Sequence, residues 1–283
     1  GIPISTSSPK LPGPPGMRYW TCWKLRARWF QPGISQTLVL AVSSVAKNGD
    51  SGRAFSPQML EQQLNDDSSA LLRFPQFESH LYEIAAGEVE GLTEEQLDFE
   101  SDKWGWSGWS IRRQLSHMAS GNFRWFWQRW GLTMYPEGPP ANPPNAEEVK
   151  VLAQSKYDRR LDEGVYWDVK LILEELQKGL ALGQTIHSQH TLGSLRTKEF
   201  EYADTGEWPW FYNIHGTGLR RDSETPTKIW FNLETIFRHR YYEHITHLYN
   251  IQRIKQAQGL STKTEVPIEG YMALPGWDLS TPD

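Results

Sequence analysis

The chain of 283 residues has a single cysteine, Cys22. One thiol excludes an internal disulfide framework and any zinc site built from cysteine pairs, so a metal here must be held by histidine and oxygen ligands. Surplus positive charge is also missing. The net charge is −5, which argues against a general nucleic-acid binder, because phosphate binding needs a basic surface that releases counterions. No apolar run reaches the ~18 residues that a membrane-spanning helix needs. The nearest, Ile34 to Ala46, follows Lys24, Arg26 and Arg28 in the order of a signal peptide, but Ser35, Gln36, Thr37, Ser43 and Ser44 dilute it. The expected location is the cytoplasm, with export through the 17–46 segment as the alternative. The patterns G-x-x-x-x-G-K-[ST], G-x-S-x-G, H-E-x-x-H and the Rossmann glycine fingerprint are all absent.

Aromatic residues, by contrast, are dense. There are 14 tryptophans, with Trp104, Trp106 and Trp109 in one cluster and Trp125, Trp127 and Trp130 in another. Such residues mostly fill cores and keep a polar edge wet. Trp106, Trp109, Trp208 and Trp210 are the candidates for walls of a substrate pocket.

Residues 1–56 contain "SSPKLPGPPG" and "AKNGDSG" without a sustained period, and read as a disordered leader or an arm that is not native to the working protein. Residues 57–260 read as helical, and 261–283 as an irregular tail. Ser56-Pro57 is a helix start, and the apolar stripe from Leu60 to about Glu88 is interrupted at Phe74-Pro75. Thr93 and Gln96 stand in capping-box register. "WSIRRQLSHMASGNFRWFWQRW" predicts a second helix with Ile111, Leu115, Met118, Phe123 and Phe126 near the core. Asn145 and Glu148 open a third, broken at Gly164 and continued through "YWDVKLILEELQKGLALGQTI". Residues 190–227 are irregular, with room for a short hairpin. A last helix runs from about Lys228 to Gln258, stopped by Gly259. Four long helices with almost no strand signal predict an all-α four-helix bundle.

The last helix carries "HRYYEHITHLYNIQRIK". At ~3.6 residues per turn, His239, Glu243 and His247 stack along one stripe, and His244 falls about a quarter turn away. Such a stripe can chelate a divalent ion or form a solvated polar face. A bundle builds metal sites from facing helices, and His117 lies mid-helix between Leu115 and Met118. Alone it reads as a hydrogen-bonded core residue. Joined with Glu243 and His247 it completes a set of two histidines and a carboxylate, suited to Fe(II) and also to Zn(II), Mn(II) or Ni(II). His187 and His190 fall at a helix end, where the dipole favours them. His215, in "NIHGTG", is a candidate proton carrier or fourth ligand, and His80 could face inward. The last helix also interleaves basic and aromatic residues as a nucleic-acid contact would, but its apolar stripe and the acidic total favour a bundle helix.

The order "GLTEEQLD", "WSIRRQLSHMASGNFRWF", "HRYYEHITHLYNIQRIKQ" resembles the DinB/YfiT-like family of metal-binding four-helix proteins. In that family "W-s-x-x-x-x-L-x-H" closes on a metal-binding histidine, matched here by His117. The last helix there carries H-x-x-x-H followed by "x-x-Q-I-x-R-I", and "HLYNIQRI" matches its second half with His247 as the final ligand. The resemblance covers roughly residues 58–260. It implies a left-handed four-helix bundle, often dimeric, and activities that include thiol-cofactor-dependent transfer and isomerisation and metal-dependent hydrolysis. The family's other histidine falls at 243, a glutamate here. Glu243 then serves as an oxygen ligand, or His244 or His239 replaces it, or the site holds no metal. The expected protein is a divalent-metal-dependent enzyme acting on a small molecule through activated water or a low-molecular-weight thiol. The alternative is a non-catalytic binding or scaffold bundle whose His/Glu cluster carries no metal.

Overall fold

Four helices carry the fold: α1 (His80–Val89), α2 (Ile111–Phe123), α3 (Val169–Ser188) and α4 (Leu233–Ala257). A π-helical turn, Arg124–Arg129, prolongs α2. The computed structural model describes residues 64–134, 151–203 and 211–282. The arm 1–56 with Cys22, the Ser56-Pro57 start, the Asn145/Glu148 capping box and both Trp208 and Trp210 lie outside the described residues.

Local chemistry starts and stops each helix. Ser110, Asp168 and Asn232 cap α2, α3 and α4 by accepting from the backbone N–H of Arg113, Lys170 and Thr235. The Thr93/Gln96 capping box is formed and opens the short helix Glu94–Leu97. Gly259, at φ +72°, ends α4, and the Leu260 N–H returns to the Lys255 carbonyl.

The extensive interfaces join α3 to α1 and α2, and α4 to α1 and α2. The order around the bundle is therefore α1–α3–α2–α4, with chain neighbours α1/α2 and α3/α4 across the diagonals. Gly179 of α3 lets α2 approach, since a Cβ there would lie 2.8 Å from Cβ of Asn122. In the centre Phe126 stacks on Phe237 at 4.6 Å, and Phe77 meets them edge-on at 6.0 and 5.5 Å.

Several segments depart from the sequence expectation, among them residues 154–168, which run as turns on either side of Gly164 so that α3 begins only at Val169. The helix expected from residue 57 runs instead, among the described residues, as turns with 3-10 pieces at Ala70–Leu72 and Pro75–Phe77. Pro75 excludes Phe74 from helical geometry, and its φ of −131° and ψ of 56° show it. The last helix starts at Leu233, because residues 228–232 form a strand. That strand, β3 (Lys228–Asn232), is flanked by β1 (Glu199–Ala203) and β2 (Leu219–Arg221), antiparallel in the order β1–β3–β2. Ile229 and Phe231 are buried while Lys228 and Trp230 are half-buried, a period of two that a helix cannot satisfy. The tail, irregular apart from the turn Gly270–Ala273, packs into the core with Val266, Tyr271 and Met272 buried.

The tail is pinned by Glu88 of α1, whose carboxylate is fully buried. It accepts from Gln252 Nε2 at 2.8 Å, Lys255 Nζ at 2.5 Å and the backbone N–H groups of Lys263 and Thr264 at 2.9 and 3.1 Å. Further on, Arg253 Nη1 donates to the carbonyls of Asp278 and Ser280 at 2.9 and 3.0 Å. Among the described residues no helix is long and apolar enough to cross a membrane.

His187 corrects the helix-dipole reading. His190 does bond the Ile186 carbonyl, at 2.9 Å, but His187 is enclosed by Phe74, Phe77 and Phe237, the last with its ring centroid 3.7 Å away. Neither ring nitrogen has a hydrogen-bond partner, and burial pushes the imidazole down to about 3. The unfolded chain is then the better proton acceptor, so the stability is complete above pH 6.5 and is lost as the pH falls toward 3. Urea unfolding at pH 5 against pH 7.5 is expected to show a loss of about 2 kcal/mol from this residue. His187→Leu is expected to flatten that part of the pH dependence.

Candidate metal centre

The 3.6-residue period brings His247 one turn past Glu243 on α4, and the α2–α4 interface brings His117 opposite both. One ligand atom from each of His117, Glu243 and His247 lies within 4.8 Å of the others. Nε2 of His117 is 3.3 Å from Oε2 of Glu243, and Nε2 of His247 is 3.8 Å from the same oxygen. The group is largely buried, with side-chain exposures of 5% for His117, 15% for Glu243 and 13% for His247.

Hydrogen bonds on the far side of each ring decide what the near side offers. Nδ1 of His117 meets the Arg159 carbonyl at 3.1 Å. A carbonyl only accepts, so Nδ1 carries the proton and Nε2 presents a lone pair. The carbonyl comes from the α2–α3 connector at a left-handed turn, with φ of 32° at Asp158 and 61° at Arg159. Ser116 and Ser120 fasten this connector to α2: Leu161 N–H donates to Ser116 Oγ at 3.0 Å, and Ser120 Oγ donates to the Leu152 carbonyl at 2.8 Å. His247 is set by Gln114. The Gln114 amide nitrogen donates to the carbonyls of Trp106 and Trp109, both at 3.4 Å, which turns Oε1 toward Nδ1 of His247 as its acceptor. Nε2 of His247 is thereby also a lone pair.

Three potential ligand atoms thus converge, one of them on a carboxylate. Burial opposes the charge on Glu243, yet hydrogen bonding with the facing His117 and His247 holds its carboxyl well below the usual carboxylate range. The same burial, with His247 alongside, pushes His117 well below an ordinary histidine. A cation placed among the three atoms would take the role that a shared proton plays in those hydrogen bonds. Removing the second support has a measurable cost: Gln114→Leu is expected to weaken divalent-ion binding roughly 10- to 100-fold with the fold retained, read by competition with a chelating dye.

Trp109 closes one side. Its ring lies 5.2 Å from His117 and 6.3 Å from His247, and Arg160 sits over it at 5.1 Å. Trp106 is further back, stacked on Trp104 at 4.9 Å, with its indole donating to Ser280 Oγ at 3.1 Å. Of the alternates, His244 turns away, with Nε2 2.9 Å from Asn122 Oδ1. His239 and His215 form a second pair around Tyr271: His239 Nδ1 lies 2.5 Å and His215 Nε2 2.8 Å from the phenol oxygen. Neither joins the three-residue group. His80 is exposed.

Neither a family model nor a curated protein sequence matches this chain. A solved structure does: YfiT from Bacillus subtilis, described as a probable metal-dependent hydrolase with an unusual four-helix bundle topology. It is 18% identical over 75% of this chain and 94% of its own, with a TM-score of 0.37.

Sequence reasoning missed Gln114, the Arg159 carbonyl and Tyr271. Gln114 had a signal, because it precedes His117 by three residues and so shares its face. The other two arrive from distant segments that no local period connects to the site.

Proposed function

We propose that the protein is a divalent-metal-dependent enzyme acting on a small molecule, either a hydrolase or a thiol-dependent transferase, with His117, Glu243 and His247 as ligands. The observation that carries this reading is the convergence of two imidazole nitrogens and one carboxylate oxygen within 4.8 Å of one another. When bound, the ion supplies a Lewis acid that makes water or a thiol nucleophilic at neutral pH. Gln114 and the Arg159 carbonyl hold the two Nδ1 protons and so keep both Nε2 atoms available. Trp109 excludes water from the outer faces of the imidazoles. The metal is Zn, Ni, Fe or Mn, all compatible with this donor set.

The test is reconstitution with each of these ions in turn, followed by assay against ester, amide and thiol-transfer substrates. Turnover that needs the ion and disappears in His247→Ala supports the reading. A second reading, a non-catalytic bundle, is favoured by Arg240, whose Nη1 stands 3.6 Å from Glu243 Oε2 and gives the carboxylate a counter-charge without an ion. Absence of bound metal after reconstitution with all four ions selects that second reading.

A further inference from the structure

Arg240 stands beside Glu243, and Arg124 and Arg129 lie close enough to it and to each other to interact, with little negative charge among the described residues to balance the three guanidinium groups. Arg124 is 7% exposed and Arg240 is 1% exposed, and Arg129 is half-buried. Arg124, the first residue past α2, follows His117 by seven residues, about two helical turns, and Arg240 precedes Glu243 by three on α4. The π-helical turn Arg124–Arg129, bonded from i to i+5, brings Arg129 back toward the face of Arg124.

Their partners are almost all neutral. Arg124 donates from Nη2 to Ser120 Oγ at 3.0 Å and from Nε to the Ala153 carbonyl at 3.5 Å. Arg240 donates from Nε to Asn122 Oδ1 at 3.3 Å and from Nη2 to the Met118 carbonyl at 3.2 Å. Arg129 lies over the rings of Trp125 and Tyr202, at 4.2 and 4.9 Å. Among the described residues, the carboxylate within ion-pair distance of any of the three is Glu243, at 3.6 Å from Arg240. Gly121 makes room for this arrangement, since a Cβ there would lie 2.5 Å from Nη2 of Arg240.

The charges also feel one another. Burial, then Arg129 and Arg240, push the Arg124 guanidinium down to about 9. Burying unbalanced charge is unfavourable to folding, and is retained where a ligand of opposite sign completes it. Glu243 cannot serve all three groups, and a metal ion beside it adds further positive charge.

We propose that Arg124, Arg240 and Arg129 form a subsite for an oxyanion, so that the substrate is a small molecule carrying a carboxylate or phosphate group close to the metal ligands. This deepens the metal-enzyme reading and rests on it for the substrate's other end, whereas the anion subsite stands on the arginines themselves. Arg124 offers Nη1, which has no protein acceptor among the described residues, and its planar fork suits either anion.

The test is isothermal titration and thermal unfolding with inorganic phosphate and, separately, succinate. Ionic strength is held constant with KCl, and both metal-stripped and metal-loaded protein are used. Saturable binding to wild type is expected, weakened roughly 10- to 100-fold in Arg124→Met with metal content unchanged. Without anion, Arg124→Met is expected to melt higher by roughly 2–4 °C, because a buried unbalanced charge is gone. His117→Ala is expected to lose metal and keep the anion, which separates the two ideas. A response to phosphate alone assigns phosphate esters, and to succinate alone carboxylates. No binding of either anion beyond the KCl control, or equal binding to Arg124→Met, overturns the subsite and leaves the metal reading standing.

Discussion

On the proposed ligand set, His117→Ala and Glu243→Ala are each expected to abolish divalent-ion binding, weakening affinity by more than the ~100-fold that loss of an outer supporting group can cause. Elemental mass spectrometry on untagged protein reads the result directly, with about one ion per chain in wild type. The two substitutions fail for different reasons. Alanine at 117 removes a neutral donor and leaves the Arg159 carbonyl without its imidazole partner. Alanine at 243 removes the carboxylate, so a dication would have to settle beside Arg240 with only the two imidazoles as ligands. Retention of metal in Glu243→Ala with loss in His117→Ala would hand the carboxylate's place to another ligand, and His244, bonded to Asn122 at 2.9 Å, would have to leave its partner to take it.

Glu88→Ala is expected to destabilise the fold by about 3–5 kcal/mol, measured from urea transitions at neutral pH. The carboxylate is fully buried and Lys255, its 2.5 Å partner, has only 3% of its side chain exposed. Truncation strands that ammonium inside the protein and deprives the Lys263 and Thr264 N–H groups of their acceptor. Burial raises the pKa of Glu88, but the bonds from Lys255, Gln252 and the two N–H groups lower it further, to a net value below 4.5. Its contribution is therefore complete above pH 4.5 and is lost as the pH falls through the depressed folded value. Replacing both partners with methionine is expected to recover much of the loss, because no bare charge then remains. A Glu88→Ala protein as stable as wild type would show that the tail docks through its buried side chains and the Arg253 bonds without help from Glu88.

The legible part of this protein was the part written in local periods. Helical repeat placed Glu243 and His247 on one stripe, and the apolar pattern around Leu115 and Met118 put His117 near the core. Gly259 and the Thr93/Gln96 pair marked helix ends through interactions spanning a few residues. The illegible part depends on chain segments meeting at long range. Gln114 acts through the backbone of Trp106 and Trp109, and the Arg159 carbonyl reaches His117 across 42 positions. Tyr271 lies in a stretch with no period at all, yet joins His215 and His239. The strand Lys228–Asn232 is an intermediate case: its two-residue alternation is present in "KIWFN", but a run of apolar residues on either side of Asn232 reads as continuous helix until the cap is recognised.

The diagonal placement of successive helices has a consequence for how the chain reaches this state. In a bundle whose neighbours in sequence are neighbours in space, each hairpin can close early over a short loop. Here α1 and α2 share no extensive interface and must wait for α3 to dock between them, and α3 and α4 are bridged in the same way by α1 and α2. Closure entropy is therefore spent before much apolar surface is covered. Folding is accordingly expected to be slow for a helical protein, with the nucleus at α2 and α3, the one consecutive pair in extensive contact. A fragment ending before Val169 would hold His117 on a helix deprived of both α3 and α4, the two helices it packs against.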